Sequence, residues 1–414
     1  MRIETIHAGP ALLAGHHRVA VMVHYDRPGH QPETLWFDMP EALAEPSGTG
    51  NGWLVALLPL AFHLGEPLRL EASVDPVLLA NAHRLQELWT RWVPERRPVP
   101  IEIAGLADVA ARDSGGTALM FSGGVDSFFS LLDFDRTARA GGSPPIADLI
   151  HIWGFDLPLT SRREYQRISA RFNNLARRLD RQLISMATNL RETRLGSISW
   201  AEVIHGPALG AAALLLRRPP AVVLISASGA RLDSMPYGTH PLADPLMSTS
   251  RTSFRHYGIE TSRIAKTAVL AESAVALEFL HVCWRSESDR NCGRCLKCCL
   301  TQMALDLLGK RMQATVFRPE RYSLRLVPTL RVQTHDGLNY MKELRGEAMA
   351  RGRDDVFSAA AEFLAANQRD ARRLASSKWH RTVRKWRNSI AKRRAAAARL
   401  VRVLRGWGGS NHAG

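Results

Sequence analysis

Apolar positions near the start of the chain alternate between the spacing of strands and that of helices. Strand-like stretches, either short or alternating with period two, occur at 18–23, 35–37 and 68–72. Stretches that stay apolar over several helical turns occur at 53–64 and 76–92. Because both kinds of element must bury an apolar side, we expect one α+β domain over residues 1–108. We find no catalytic motif in this region.

From Thr117 the pattern becomes a repeated strand and helix. The predicted strands cover 118–121, 149–153, 183–187 and 221–226. The predicted helices between them cover 126–132, 164–179 and 200–216. Apolar strands that alternate with helices predict an α/β fold, with a parallel sheet and helices on both faces. Ligands of such sheets bind beyond the carboxyl ends of the strands, and the first strand ends at Phe121.

Beyond this region the chain is mainly helical. Apolar spacing predicts helices over 300–308, with a stop at Gly309, and over 357–366, and a long basic helix follows from Arg369. The predicted units are an N-terminal domain (1–108), a central domain (109–310), a helical extension (311–366) and a basic tail (367–414).

Composition indicates a globular protein, since 45% of the residues are hydrophobic and 23% are charged. The net charge of +16 belongs to the tail, because residues 369–405 hold 14 of the 55 Lys and Arg residues and one acidic residue. No signal-peptide pattern or apolar stretch of ~20 residues occurs. All five cysteines lie between Cys283 and Cys299, which favours metal binding in a reducing compartment, and we expect a cytoplasmic protein.

The strongest motif is a glycine-rich turn between a predicted strand and a predicted helix. Its residues are Ser122, Gly123, Gly124, Val125, Asp126 and Ser127, hereafter the glycine loop. Glycines let the backbone approach an anion, and the free N–H groups of the helix start bind phosphate oxygens. Asp126 stands where a helix cap or a Mg²⁺ contact is expected. The alternative is a polar turn that only caps a buried helix; Walker and dinucleotide fingerprints are absent.

Four cysteines have the spacing C-x₈-C-x₂-C-x₂-C and predict a metal site. They are Cys283, Cys292, Cys295 and Cys298, hereafter the cysteine site. Four thiolates suit a tetrahedral Zn²⁺, and a closed four-sulfur site indicates a structural ion. An iron–sulfur cluster and simple buried cysteines are the alternatives. Cys299 is left over and is interpreted as a packing residue.

The glycine loop resembles that of the PP-loop (N-type) ATP pyrophosphatase superfamily, whose members cleave ATP between the α and β phosphates. Together with the cysteine spacing, it resembles the 7-cyano-7-deazaguanine synthase branch, over residues 117–309. The resemblance implies an adenine nucleotide alpha hydrolase-like fold that binds ATP. It also implies an activity that adenylates a carboxylate or amide, so that ammonia can displace AMP, as in queuosine biosynthesis.

The same resemblance implies site residues. Lys266, in the segment 262–267, is expected to stabilise charge on the leaving pyrophosphate; a solvated helix-surface lysine is the alternative. Phe121 and His205 are expected near the nucleotide, although His205 can equally be structural. The loop at 232–245 is expected to line the pocket for a small-molecule substrate, such as a deazapurine-like acid, or else to be a plain connection. Its residues of interest are Asp233, Tyr237, His240 and Asp244.

Two other functions stay open. Sulfur transfer to tRNA also uses PP-loops and zinc-binding cysteines, but it calls for a reactive cysteine free of the metal, and only Cys299 is left. The added N-terminal domain resembles the architecture of synthase-like components of bacterial defence or biosynthetic assemblies that modify a macromolecule, which implies partner proteins.

The basic tail predicts an amphipathic helix. Its apolar positions recur at intervals of three, four or seven: Trp379, Val383, Trp386, Ile390, Ala397, Val401 and Leu404. Such a helix can bind nucleic acid, lie on an anionic membrane or pack against the body of the protein.

Overall fold

A computed structural model describes residues 1–6, 9–44, 50–108, 115–228, 237–283, 290–332 and 335–370, together with Arg372. The predictions for Asp233 and for the apolar stripe of the basic tail fall outside these residues. Within them, no helix is long and apolar enough to cross a membrane.

The N-terminal region contains five strands and two helices. The strands are β1 (Arg2–Ile6), β2 (His16–His24), β3 (Glu33–Pro40), β4 (Leu68–Val74) and β5 (Ile101–Leu106). The helices are α1 (Asn51–Leu64) and α2 (Pro76–Trp92). Strand β2 lies antiparallel between β1 and β3, whereas β4 lies parallel between β1 and β5. The predicted strands and helices of this region are therefore confirmed, and β1 and β5 are additional.

Helix α1 is buried on nearly every side, because its sequence is apolar all round rather than along one stripe. It ends at Gly65, whose φ of 71° suits the left-handed conformation of a helix C-terminus. Helix α2 begins after Asp75, whose carboxylate accepts hydrogen bonds from the N–H groups of Val77 and Leu78. Both helix boundaries therefore follow from residues in the sequence.

The central region contains five parallel strands. They are β6 (Gly115–Met120), β7 (Ile146–Trp153), β8 (Gln182–Thr188), β9 (Pro220–Ser226) and β10 (Ser253–Tyr257), in the spatial order β10-β9-β6-β7-β8. This is an α/β arrangement compatible with a Rossmann-like fold. The strand order reverses between β6 and β9, and ligands bind at such a switch point. Strand β10 was not predicted from the sequence.

In the part of the chain that the structure describes, eight helices accompany and follow these strands. They are α3 (Val125–Ala140), α4 (Arg162–Arg178), α5 (His205–Leu214), α6 (Arg263–Ala271), α7 (Ala274–Phe279), α8 (Leu296–Leu307), α9 (His335–Ala350) and α10 (Asp354–Ala366). One π-helical turn, Trp200–Ile204, precedes α5 within the predicted helix 200–216. Helices α9 and α10 pack with α8 around a separate apolar core that includes Cys299, which confirms this cysteine as a packing residue.

Side chains of the parallel strands alternate between two apolar cores. Ala118 and Met120 point to the core that contains α1 and α5, whereas Leu119 and Leu149 point to the core that contains α3 and α4. Helices therefore cover both faces of the sheet, as predicted. One of the two faces is covered partly by α1, a helix from the N-terminal region.

The two regions share one sheet. Strand β3 pairs antiparallel with β8 through Phe37 opposite Thr188 and Asp38 opposite Ala187. The Thr188 hydroxyl also donates to the Trp36 carbonyl at 2.7 Å. The result is a single ten-stranded sheet in the order β10-β9-β6-β7-β8-β3-β2-β1-β4-β5. Strand pairing thus continues across the predicted junction between the first two units, and the three boundaries between the four units stay predictions.

Candidate functional site

The glycine loop connects β6 to α3 in a conformation that requires glycine at its centre. Gly123 has φ = 74°, in the left-handed region. A Cβ atom on Gly123 would lie 2.2 Å from Cζ of Phe172. Any other residue there would strain the backbone and displace a buried ring, so the sequence Gly-Gly reflects a geometric need.

The start of α3 has the features of an anion site. No side chain of the described residues caps this helix, whose N-cap is Gly124. The Ser127 hydroxyl donates to the Gly124 carbonyl at 3.1 Å, and the Ser122 hydroxyl accepts from the Gly124 N–H at 3.3 Å. The N–H groups of the first helical turn have no intrahelical acceptors and carry the positive end of the helix dipole. This end of α3 can therefore bind phosphate oxygens.

The glycine loop opens into a cavity of about 640 Å³. Eight of the residues predicted to bind nucleotide or substrate line it: Phe121, Ser122, Gly124, Val125, Asp126, Ser127, His205 and Tyr237. Gly123 lies behind this lining, against Phe172 and His281. The fold therefore brings most of the predicted nucleotide-binding residues to one space at the switch point of the sheet.

Asp126 is held between two cations. Its carboxylate forms an ion pair with the Arg263 guanidinium and lies 3.4 Å from Nζ of Lys266. The Arg263 guanidinium also lies over the Tyr340 ring, 5.4 Å from its centroid. Because cations already surround this carboxylate, the contacts of Asp126 do not favour a Mg²⁺ ion bound to it.

Lys266 lies behind Asp126 rather than in the cavity lining. Its side chain is 1% exposed, and its Nζ donates to the Ala227 carbonyl at 2.5 Å. Burial, with a smaller contribution from Arg263, lowers the pKa of Lys266. Lys266 is therefore not a solvated surface lysine, and its predicted contact with pyrophosphate stays a prediction. Arg263, three residues earlier and on the same side of α6, lines the cavity.

The predicted substrate loop divides into a lining part and a supporting part. Tyr237 lines the cavity and hydrogen bonds to Asp336, the second residue of α9. Asp244 is 0% exposed and accepts hydrogen bonds from the His240 N–H at 3.0 Å and from Nδ1 of His256 at 2.8 Å. Burial raises the pKa of Asp244. Asp244 therefore holds the loop from beneath instead of facing the cavity, and His240 packs against Trp92.

Aromatic rings form one wall of the cavity. The rings of Phe155 and Trp200 lie 4.8 Å apart, and the ring of His205 lies 5.2 Å from that of Trp200. The Arg191 guanidinium covers Trp200 at 4.9 Å. Burial lowers the pKa of His205, which favours a neutral ring. Asp156 adds a carboxylate to the same lining.

His151 contributes a neutral imidazole to the floor of the cavity. Its Nδ1 lies 3.1 Å from the Phe121 carbonyl, which can only accept, so Nδ1 carries the proton. Its ring stacks on Tyr165 at 5.5 Å. Burial lowers the pKa of His151 to about 4. Its Nε2 is buried and has no hydrogen-bond partner among the described residues.

The four predicted cysteines converge on one point. Their sulfurs all lie within 4.8 Å of one another, with 3.9 Å between Cys283 and Cys295 and 3.8 Å between Cys292 and Cys298. A tetrahedral ion with Zn–S bonds of about 2.3 Å places its sulfurs about 3.8 Å apart. The cysteine site can therefore hold one metal ion such as Zn²⁺. Several iron and sulfide atoms would need a wider arrangement.

The cysteine site also forms part of the cavity wall. Cys283 and Cys295 line the cavity beside Arg294 and Lys297. Burial lowers the pKa of Lys297 to about 8. From further along the chain, Arg331 and Tyr340 line the same space. Sequence reasoning missed Lys297, although it stands between two predicted metal ligands, and missed Arg331 and Tyr340, for which no local motif exists.

Comparisons with known proteins add no relative: no protein-family model, curated protein or solved structure matches this chain.

Proposed function

We propose that this protein is an ATP-dependent adenylating enzyme of the PP-loop type, which forms AMP and pyrophosphate. One observation carries the proposal: the uncapped start of α3, which follows the left-handed turn at Gly123, lines a cavity with several cations at the switch point of the sheet. This arrangement suits a polyphosphate whose reacting phosphorus lies near the helix start.

The proposed reaction has two displacements. A substrate carboxylate oxygen attacks the α-phosphorus of ATP, the bond to the bridging oxygen of the β-phosphate breaks, and pyrophosphate leaves with the bonding electrons. An amine nitrogen then attacks the acyl carbon, loses a proton and expels AMP. The N–H groups at the start of α3 would bind the phosphates. Arg263 and Lys297 would offset the charge that develops on pyrophosphate.

The aromatic wall supports a planar substrate. Trp200 and Phe155 line the cavity with aromatic rings, and Asp156 adds a hydrogen-bond acceptor to the same lining. A heterocyclic acid with N–H donors, such as 7-carboxy-7-deazaguanine, has this complementary chemistry. We therefore propose a deazapurine-like acid as the substrate and ammonia as the nucleophile, with C–N bond formation as the outcome.

Sulfur transfer is less well supported. Cys299 is the cysteine outside the cysteine site, and it is fully buried in the core around α8. Burial raises the pKa of the Cys299 thiol to about 12, so it is protonated at neutral pH. A sulfur carrier requires an accessible thiolate, and Cys299 does not provide one.

The test is to incubate zinc-loaded protein with ATP, Mg²⁺, ammonium and 7-carboxy-7-deazaguanine, with mass spectrometry of all products. We expect AMP, pyrophosphate and an amide of the purine, with a nitrile where a second ATP adenylates the amide oxygen and AMP then leaves with loss of a proton. All of these products should be lost in an Asp126→Ala variant. If AMP forms and the purine is unchanged, the protein has an adenylating activity but 7-carboxy-7-deazaguanine is not its substrate. ADP as the product, or no reaction, would contradict the proposed chemistry.

A further inference from the structure

A short segment lies between the cysteine site and the glycine loop. This linking segment comprises residues 280–283 and ends at the metal ligand Cys283. Two residues before that ligand, the backbone N–H of His281 donates to the Gly123 carbonyl at 2.7 Å. The carbonyl belongs to the residue whose left-handed conformation defines the glycine loop. The position of the linking segment therefore fixes part of the predicted phosphate site.

One buried side chain holds this segment in place. Asn291 is 2% exposed and precedes the metal ligand Cys292. Its Oδ1 accepts from the N–H groups of Val282 at 2.8 Å and Cys283 at 3.2 Å. Its Nδ2 donates to the Leu280 carbonyl at 2.9 Å. Asn291 thus binds three of the four residues of the linking segment and sits directly beside a metal ligand.

We propose that Asn291 couples the two sites, so that a metal ion in the cysteine site and a phosphate ligand at the glycine loop each strengthen the binding of the other. A metal ion fixes Cys283 and Cys292. The N–H group of Cys283 donates to the Asn291 side chain, and Cys292 directly follows Asn291 in the chain. Asn291 carries this restraint to the linking segment, and the His281 N–H carries it to Gly123. Asn291 acts here as a positioning residue, because it touches neither ligand.

Coupling between two binding sites is reciprocal and typically changes affinity by about 5- to 150-fold. Here the two sites are connected through one hydrogen bond to the glycine loop. We therefore expect an affinity change near the lower end of this range, about tenfold. The proposal rests on the proposed function only in that the ligand of the glycine loop is a phosphate.

The chain offers a matched control in Gln302. This second buried amide is 0% exposed, and its Nε2 donates to the carbonyls of Gly293 at 2.9 Å and Cys298 at 3.3 Å. It lies in α8 and contacts the cysteine site through the backbone of Cys298 and of Gly293. Its hydrogen bonds do not involve the linking segment or the glycine loop. Removing Gln302 should therefore disturb the metal site without breaking the path to Gly123.

The experiment measures pyrophosphate and ATP binding by calorimetry, and zinc affinity by competition with a chromophoric chelator. The proteins are the full chain, Asn291→Ala and Gln302→Ala, each saturated with zinc. We expect both variants to bind zinc more weakly. We expect only Asn291→Ala to bind pyrophosphate and ATP about tenfold more weakly at saturating zinc. In the unaltered chain, pyrophosphate should raise the zinc affinity by the same factor.

Backbone hydrogen exchange at His281 supplies a readout that needs no nucleotide. Protection of this N–H should fall in zinc-saturated Asn291→Ala and persist in Gln302→Ala. Equal nucleotide affinity and equal His281 protection in the two variants would overturn the proposal. If Asn291→Ala does not fold, Asn291→Asp keeps both acceptor contacts, loses the donor to Leu280 and is judged by the same measurements.

The two proposals fail in different ways. If the unaltered, zinc-loaded chain binds neither pyrophosphate nor ATP, the proposed function is wrong and the coupling to a phosphate ligand is wrong with it; His281 protection then shows only whether Asn291 restrains the linking segment. If the unaltered chain binds both ligands and Asn291→Ala binds them equally well with full His281 protection, the coupling is wrong and the proposed function stands.

Discussion

The cavity lining has two parts that are built differently. One part is the glycine loop, six consecutive residues that run from the end of β6 into the first turn of α3; it presents backbone N–H groups, and its side chains mainly support the turn. In the other part, charged groups come from separate segments: Arg263 of α6, which pairs with Asp126 of the loop, Lys297 of α8 and Arg331 before α9. The difference indicates that a phosphate site can be encoded locally, whereas the charges around it depend on the packing of distant helices.

The largest loss of stability should come from a substitution in the glycine loop. We expect Gly123→Ala to lower the free energy of unfolding by about 3 kcal/mol or more, because a positive φ strains alanine and the new methyl group meets the Phe172 ring. Nucleotide binding should be lost with it. Urea unfolding and calorimetric titration with ATP measure the two effects.

Gly124→Ala is the matched control in the same loop. Gly124 has φ = −79°, and a Cβ there would have Oγ of Ser122 as its nearest neighbour, at 3.3 Å. We expect its unfolding free energy to stay within about 0.5 kcal/mol of the original. Equal destabilisation by both substitutions would show that the left-handed turn is not what the loop requires.

The next largest effect, on ATP affinity, should come from a charged residue that a distant segment supplies to the cavity lining. We expect Arg263→Gln to weaken ATP binding by about 2 to 3 kcal/mol, since it removes a cation that lines the cavity and pairs with Asp126. Lys266→Met serves as the comparison, because Lys266 lies behind Asp126. It should change ATP affinity less than Arg263→Gln. If calorimetry shows that Lys266→Met loses more ATP affinity than Arg263→Gln, then Lys266 and not Arg263 makes the phosphate contact.

The smallest effect, on the pH dependence of stability, should come from His151 in the cavity lining. Its pKa is about 4 in the folded protein, against about 6.5 in an unfolded chain. As the pH falls below 6.5 the unfolded state takes up the proton first, so His151 stabilises the fold above that pH and loses this contribution as the pH falls towards 4.

His151→Asn can keep the donor to Phe121 and does not titrate in this range. Between about pH 7 and about pH 5, the original protein should lose about 2 kcal/mol more unfolding free energy than this variant. Urea unfolding of both proteins at the two pH values checks the difference. Parallel losses would mean that His151 is not kept neutral by burial.

Local chemistry explains what the sequence could predict. The glycine loop, the cysteine site and four of the five strands of the parallel sheet follow from neighbouring residues, as do the start of α2 at Asp75 and the end of α1 at Gly65. These features depend on backbone conformation and apolar periodicity, which act over a few residues.

Tertiary packing explains what the sequence could not predict. Arg263 precedes Lys266 by one helical turn, and only the packing of α6 against α3 determines which of the two lines the cavity. Tyr340 reaches Arg263 from a helix more than 70 residues later in the chain, through a hydrogen bond of its hydroxyl with Thr267 at 3.1 Å. Asp244 has the chemistry of a ligand-binding residue, but its partners are His240 and His256 within the protein.

The pairing of β3 with β8 has a consequence for how the protein folds and for how it can be shortened. Deleting the first hundred residues would strip β8 of its neighbour and expose a row of unpaired backbone groups. It would also uncover the apolar surface of α5 that α1 now buries. An exposed strand edge recruits strands from other molecules. The shortened chain should therefore aggregate, whereas in the full chain this edge of β8 stays paired with β3.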